Sequence, residues 1–320
     1  MFDNYSIIQK ILHELCLSTS VIRRIFFEYE KRRFLQNCYI DHQNHIFICG
    51  LARSGTTALL ESLYSSKNFG SLTYADMPFV LAPNTWSKIR KVKISPKLIE
   101  RAHNDGINIG LQSPEAFEEI FWQSFNDGNE DLYFKEYIAL ILNKTKKNRY
   151  ISKNNQNINR ISKISKIFPK SIFLLTFRSP LDHASSLLEQ HKRFCKLQSE
   201  KKFIKRYMDL TFHSEFGLGY KVKNKYNLDF NNPDSLNHWL EQWYKTYIVL
   251  LNDHKHCKNI FFVCFEKLCK KTEYWKEIQK LAQVNSLYQF KFPHKNKINL
   301  KIINEKLLKK CENLYNELID

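Results

Sequence analysis

The stretch His45–Leu63, HIFICGLARSGTTALLESL, constrains the fold more than any other part of the chain. The apolar run HIFICGL breaks at glycine and passes directly into TTALLESL, whose apolar spacing is helical. That pattern predicts a buried parallel strand, a tight turn and a helix. Such a turn aims successive backbone N–H groups at one point, and the helix N-terminus adds a field favourable to an anion. Gly50 and Gly55 have four residues between them, the spacing of the G-x-x-x-x-G-K-[ST] phosphate loop, but Thr56 stands where that loop carries lysine. Arg53 supplies a cation instead, and Thr56 and Thr57 add hydroxyl donors.

The rest of the chain continues the alternation. Helical patterns cover roughly residues 5–16 and 20–36, before the loop. GSLTYADMP predicts a second short strand closed by Asp76 and Pro78. EAFEEIFWQSF and FKEYIALILNK read as helices separated by the turn residues NDGNED. RYISKN predicts a strand and INRISKISKIF a helix. SIFLLTF is the clearest strand of all and ends at Arg178 and Pro180. Helices follow at LDHASSLLEQHKRF and SLNHWLEQWYKTYIVLLND, then the strand NIFFVCF and the helix EYWKEIQKLAQV. Strands alternating with helices predict an α/β fold, a central parallel sheet with helices on both faces. At 320 residues this suits one domain: a helical extension over 1–40, an α/β core over 45–285 and a C-terminal segment over 286–320. The Asn/Lys-rich piece 220–232 reads as an exposed excursion.

Charge and cysteine content narrow the functional classes. The formal charge of +18 is spread along the chain rather than gathered in one basic stripe. It therefore reads first as a solvated basic surface, whose field favours an anionic ligand more than nucleic acid. The eight cysteines form no C-x-x-C pair, which excludes the common zinc patterns, and no metal is expected. No apolar run reaches membrane-spanning length, and the first 34 residues mix charges into every turn, unlike a signal peptide. The expectation is a cytoplasmic protein without an integral membrane segment.

Two segments carry a family resemblance. GLARSGTTALL resembles the phosphosulfate-binding loop of the sulfotransferases, which take a sulfonate group from 3′-phosphoadenosine 5′-phosphosulfate. FPKSIFLLTFRSPLDHASSLL resembles the strand, loop and helix that bind the 3′-phosphate of that donor, with Arg178 and Ser186 at the family's spacing of eight positions. The resemblance implies a P-loop-like sulfotransferase fold and a donor held by Arg53, Ser54, Gly55, Thr56, Thr57, Arg178 and Ser186. It also implies that Lys153, at the end of the RYISK strand, contacts the bridging oxygen and stabilises the leaving phosphate. A kinase or NTPase, the alternative reading, would require the missing loop lysine and an aspartate ending a strand to hold magnesium.

Sulfonyl transfer to a hydroxyl or amine needs charge neutralisation and a proton acceptor. Arg53 and Lys153 suit the first role. For the second, the histidine that cytosolic family members carry after the lysine is replaced here by Asn154, Asn155 and Gln156. Asp76 matches the acidic residue of Golgi-type members and is the expected base, with Glu115 and His183 as rivals. The acceptor, whether small molecule, glycan, lipid or peptide, is not legible in the sequence.

Overall fold

The computed structural model describes residues 5–38, 44–90, 98–100, 106–115, 117–222, 228–290 and 303–319. His294, Lys295 and Lys297 of FPHKNKI, which lie where the C-terminal segment of the sulfotransferases often closes over the nucleotide, are outside the described residues. Strands β1 (Ile46–Cys49), β2 (Phe69–Gly70), β3 (Ile99–Glu100), β4 (Asn108–Ile109), β5 (Arg149–Lys153), β6 (Ile172–Phe177) and β7 (Ile260–Cys264) form two sheets. The large one has the order β2-β5-β1-β6-β7 and all its pairs are parallel; β3 and β4 pair antiparallel apart from it.

Helices follow as α1 (Ile7–Leu17), α2 (Ser20–Phe34), α3 (Thr56–Tyr64), α4 (Pro83–Ile89), α5 (Glu118–Trp122), α6 (Glu130–Thr145) and α7 (Ile161–Ile167). After these come α8 (Pro180–Glu200), α9 (Lys202–Leu210), α10 (Leu236–His254), α11 (Phe265–Lys270), α12 (Thr272–Ala282) and α13 (Glu305–Ile319). Local chemistry sets several of the boundaries. Ser6 and Gln9 close a capping box on α1. Pro180, whose ring presets a helical φ and which has no N–H to leave unbonded, starts α8.

The sheet is covered on both faces because side chains alternate along each strand. Phe47, Cys49, Phe173, Leu175 and Phe177 enter one apolar cluster with α6, α8, α10 and α13. Ile46, Ile48, Ile151, Leu174 and Val263 enter the other, with α3, α11 and α12. Cys16, Leu17, Phe27 and Phe34 of α1 and α2 and Leu307, Cys311, Leu314 and Leu318 of α13 bury into the first cluster. The ends of the chain therefore share a core with the sheet. The helices α4, α9, α11 and α13 and the small antiparallel pair were not expected from the sequence.

Candidate active site

The central position of β1 decides where the site forms. Its neighbours β5 and β6 run parallel to it, with Ile48 opposite Lys153 and Cys49 opposite Leu175. The loop after β1, the end of β5 and the start of α8 thus meet at one carboxyl edge, where open α/β sheets bind ligands.

The loop Gly50–Gly55 has a tightly specified backbone. Gly50 has φ +147° and Gly55 has φ +96°, and a Cβ on Gly50 would lie 2.5 Å from the Thr176 carbonyl oxygen. A Cβ on Gly55 would enter the Phe265 ring, so glycine is required at both positions. Arg53 itself takes φ +71°, a costly conformation for a residue with a side chain. What holds it there is a set of clamps. The His183 Nε2–H donates to the Ala52 carbonyl at 2.8 Å, and Arg178 Nη1 donates to the Arg53 carbonyl at 3.4 Å. The Tyr247 hydroxyl accepts from Leu51 N–H at 3.4 Å and donates to the Thr176 carbonyl at 2.8 Å.

Ser54 belongs to the same frame. Its hydroxyl donates to the Leu51 carbonyl at 2.7 Å and lies 2.6 Å from Thr176 Oγ1, its N–H bonds the Leu51 carbonyl, and it is fully buried. Both donors of Ser54 are engaged within the fold. Thr56 and Thr57 are the first residues of α3, where helical geometry leaves N–H groups without an intrahelical carbonyl.

Arg53 and Arg178 converge on this loop from different segments. Arg53 Nε donates to Ser186 Oγ at 3.1 Å, so the two sequence motifs touch. Arg178 is 8% exposed, with Glu266 Oε1 at 3.8 Å from its Nε and the Phe265 ring centroid 5.7 Å from its guanidinium carbon. Glu266 in turn accepts from Ser179 N–H at 3.0 Å and from the Tyr315 hydroxyl at 3.2 Å. It therefore ties the Arg178 turn to α13, the structural role that the FFVCFEKLC turn implies for it.

The three candidate bases separate clearly. Asp76 is 2% exposed and ends a 3-10 turn, Tyr74–Asp76. Lys144 Nζ reaches its two oxygens at 2.6 and 2.8 Å, and Thr73 donates to it through N–H at 2.8 Å and hydroxyl at 3.1 Å. That is the geometry of a turn cap joined to a buried ion pair, and it engages both oxygens of the carboxylate. His183 is fully buried with Nε2 bonded to the loop. Burial first, then the positive charge of Arg178 and Arg53, pushes its pKa down to about 3, so it is a neutral clamp. Glu115 differs from both. One of its oxygens lies 3.9 Å from Lys153 Nζ and the other accepts from the Tyr74 hydroxyl, which puts a carboxylate beside the lysine at the end of β5.

The neighbouring carboxylates Glu118 and Glu119 serve the frame. Glu118 accepts from Ser152, Tyr150, Asn157 and Trp122. Glu119 pairs with Arg160 and accepts from Asn154; although burial alone would raise its pKa, Arg160 holds it below the usual value. Together they pin the 3-10 turn Asn155–Asn159 that follows Lys153. An open cleft lies between that turn and the loop, walled by Gly50–Ala52, Asn155, Gln156, Leu187, Tyr220 and Gln242. Among the described residues no group of three His, Cys, Asp or Glu side chains converges as a metal site.

The fold thus defined is a parallel α/β sheet with a cation-bearing glycine loop at the carboxyl edge of its central strand. A model of the sulfotransferase family matches residues 45–283, and the chain belongs to that family of transferases. Among solved structures it is similar to sulfotransferase STF1 from Mycobacterium tuberculosis H37Rv, at 12% identity and TM-score 0.53, over 88% of this chain and 78% of that one. It also matches sulfotransferase STF9 from Mycobacterium avium at 13% identity and TM-score 0.49, over 93% of this chain and 74% of that one. At such identities the likeness to STF1 is one of fold. No curated protein sequence matches the chain.

Proposed function

We propose that the protein transfers a sulfonate group from 3′-phosphoadenosine 5′-phosphosulfate to a hydroxyl or amine acceptor. The observation that carries this reading is the meeting of Arg53, Ser186 and Arg178 around one loop, which supports a donor bearing anionic groups at both ends. In this reading Arg53, Gly55, Thr56, Thr57 and the N-terminus of α3 hold the 5′-phosphosulfate, and Arg178 and Ser186 hold the 3′-phosphate.

Lys153 offsets the negative charge that develops on the leaving phosphate. Glu115, beside Lys153, replaces Asp76 as the proposed base. As the acceptor oxygen bonds to sulfur, the bond from sulfur to the bridging oxygen breaks, the acceptor proton passes to Glu115, and the nucleotide leaves as the bisphosphate. Most of the rate gain in such a transfer comes from positioning and preorganised charge. The clamped loop supports that division of labour. The cleft along Gly50–Ala52 is the proposed entry for a small acceptor. Eight free thiols support a reducing, cytoplasmic setting, and the shared core of α1, α2 and α13 with the sheet supports a single domain.

Calorimetry with 3′-phosphoadenosine 5′-phosphate and with ATP, each with and without magnesium, tests the donor. Binding of the bisphosphate independent of magnesium, and tighter than ATP, is the expected result. Magnesium-dependent preference for ATP would overturn it.

A further inference from the structure

The first two helices have two apolar sides, and the fold uses only one. His13, Cys16 and Leu17 of α1 and Arg23, Phe27, Glu30 and Phe34 of α2 face inward and are buried. On the outer side of α1, Ile7, Ile8, Ile11 and Leu15 are 76%, 71%, 52% and 59% exposed. Val21, Ile25 and Tyr29 of α2 repeat the pattern at 64%, 61% and 47%. The spacings, 7-11-15 and 21-25-29, keep each set on one stripe of its helix. Scattered exposed aliphatic residues need no explanation, but two consecutive helices with continuous outer stripes do.

We propose that α1 and α2 seat the protein on an anionic lipid surface. Charge selects this occupant. The chain carries 50 Lys and Arg against 32 Asp and Glu, a formal +18, so a second copy brings like charge to the contact whereas an anionic bilayer brings the opposite. Local residues agree with the whole. Arg32 and Arg33 are exposed at the end of the α2 stripe, and Arg33 Nη1 donates to the Tyr29 hydroxyl at 2.6 Å. Lys10 lies over the Phe203 ring of α9, beside the exposed Lys202 and Arg206. Of the acids of the two helices, Glu30 is buried and bonded to Asn84 and Thr85, and Glu14 and Glu28 are held by the cations Arg206 and Lys31.

The chemistry of the stripes also suits lipid. Ile, Leu and Val, which make up both stripes apart from Tyr29, need no complementary pocket to enter an acyl boundary. With 11 and 15 residues the helices lie along a surface rather than cross it, and no described helix is long and apolar enough to span a bilayer.

Co-sedimentation of the full chain with vesicles tests the proposal. Vesicles of phosphatidylcholine containing about one third phosphatidylglycerol should pellet the protein at least about tenfold better than pure phosphatidylcholine, and added salt should reduce the bound fraction. Ile8→Glu with Ile11→Glu, and separately Ile25→Glu, should each lower the bound fraction about tenfold while circular dichroism and bisphosphate binding stay as in wild type. Ile8→Ser and Ile25→Ser, milder changes at the same exposed positions, should lower it less. A protein that stays in the supernatant at every composition overturns the proposal. So do stripe variants that pellet like wild type, which would leave only diffuse charge. A dimer in light scattering that the same substitutions split would assign the stripes to a second copy instead.

Discussion

His183 links acidity to the stability of the donor loop. An ordinary histidine titrates near 6.5, whereas burial and two nearby arginines hold His183 at about 3. Between those values the unfolded chain binds a proton that the folded chain refuses, so folding stability from this group is present above about pH 6.5 and is lost as pH falls toward 3. From pH 8 to pH 5 the loss is about RT ln(1 + 10^1.5), or about 2 kcal/mol. This figure depends on the unfolded value and scarcely on the folded one, provided the latter lies well below 5. Urea unfolding of wild type and His183→Gln at pH 5 to 8 measures it, since the glutamine amide keeps a donor for the Ala52 carbonyl. Burial also lowers the pKa of His13, His191, His238 and His254, so the quantity to read is the difference between the two proteins. Wild type should lose about 2 kcal/mol more than the variant over that range. Parallel pH profiles would refute the assignment of His183 as a neutral buried clamp.

Other substitutions divide the site by role. Glu115→Gln should reduce transfer to an alcohol on the order of 10²–10⁴-fold with bisphosphate affinity unchanged, and full activity in that variant would remove Glu115 as the base. Asp76→Asn should act on stability instead, costing about 2–3 kcal/mol through the half-buried Lys144 charge left without its partner; chemical denaturation reads this, and an unaltered midpoint would contradict the ion pair. Arg178→Ala should weaken binding of the 3′-phosphorylated nucleotide by about 1.5–3 kcal/mol and leave adenosine 5′-phosphosulfate nearly unaffected; equal losses in calorimetry would dismiss the 3′-phosphate role. Gly55→Ala, which drives a methyl into Phe265 at a positive φ, should destabilise the protein by about 1–3 kcal/mol and weaken bisphosphate binding; wild-type melting and affinity would show that the loop is looser than its clamps imply.

The sequence by itself determined the features that rest on local rules. Strand β1, its glycine turn and α3 follow from an apolar run, two glycines and helical spacing in consecutive residues. The β6 strand ending at Arg178 and the helix after Pro180 are equally local. Because parallel strands must gather their carboxyl ends at one edge, the strand pattern alone assigns Arg53, Lys153 and Arg178 to that edge. What each polar side chain does there depended on partners far along the chain. Asp76, closing the second strand, and Glu115, opening the EAFEEIFWQSF helix, look alike as candidate bases. Only packing brings Lys144 onto Asp76 and Lys153 toward Glu115. Only packing presents Thr176 of β6 to the Ser54 hydroxyl, and His183 reads as a titratable base until the loop carbonyl of Ala52 meets its ring. Helix and turn signals act over a few residues, whereas the pairing and desolvation that set a carboxylate or imidazole to its task act across tens to more than a hundred, and that separation is why tertiary structure decided them.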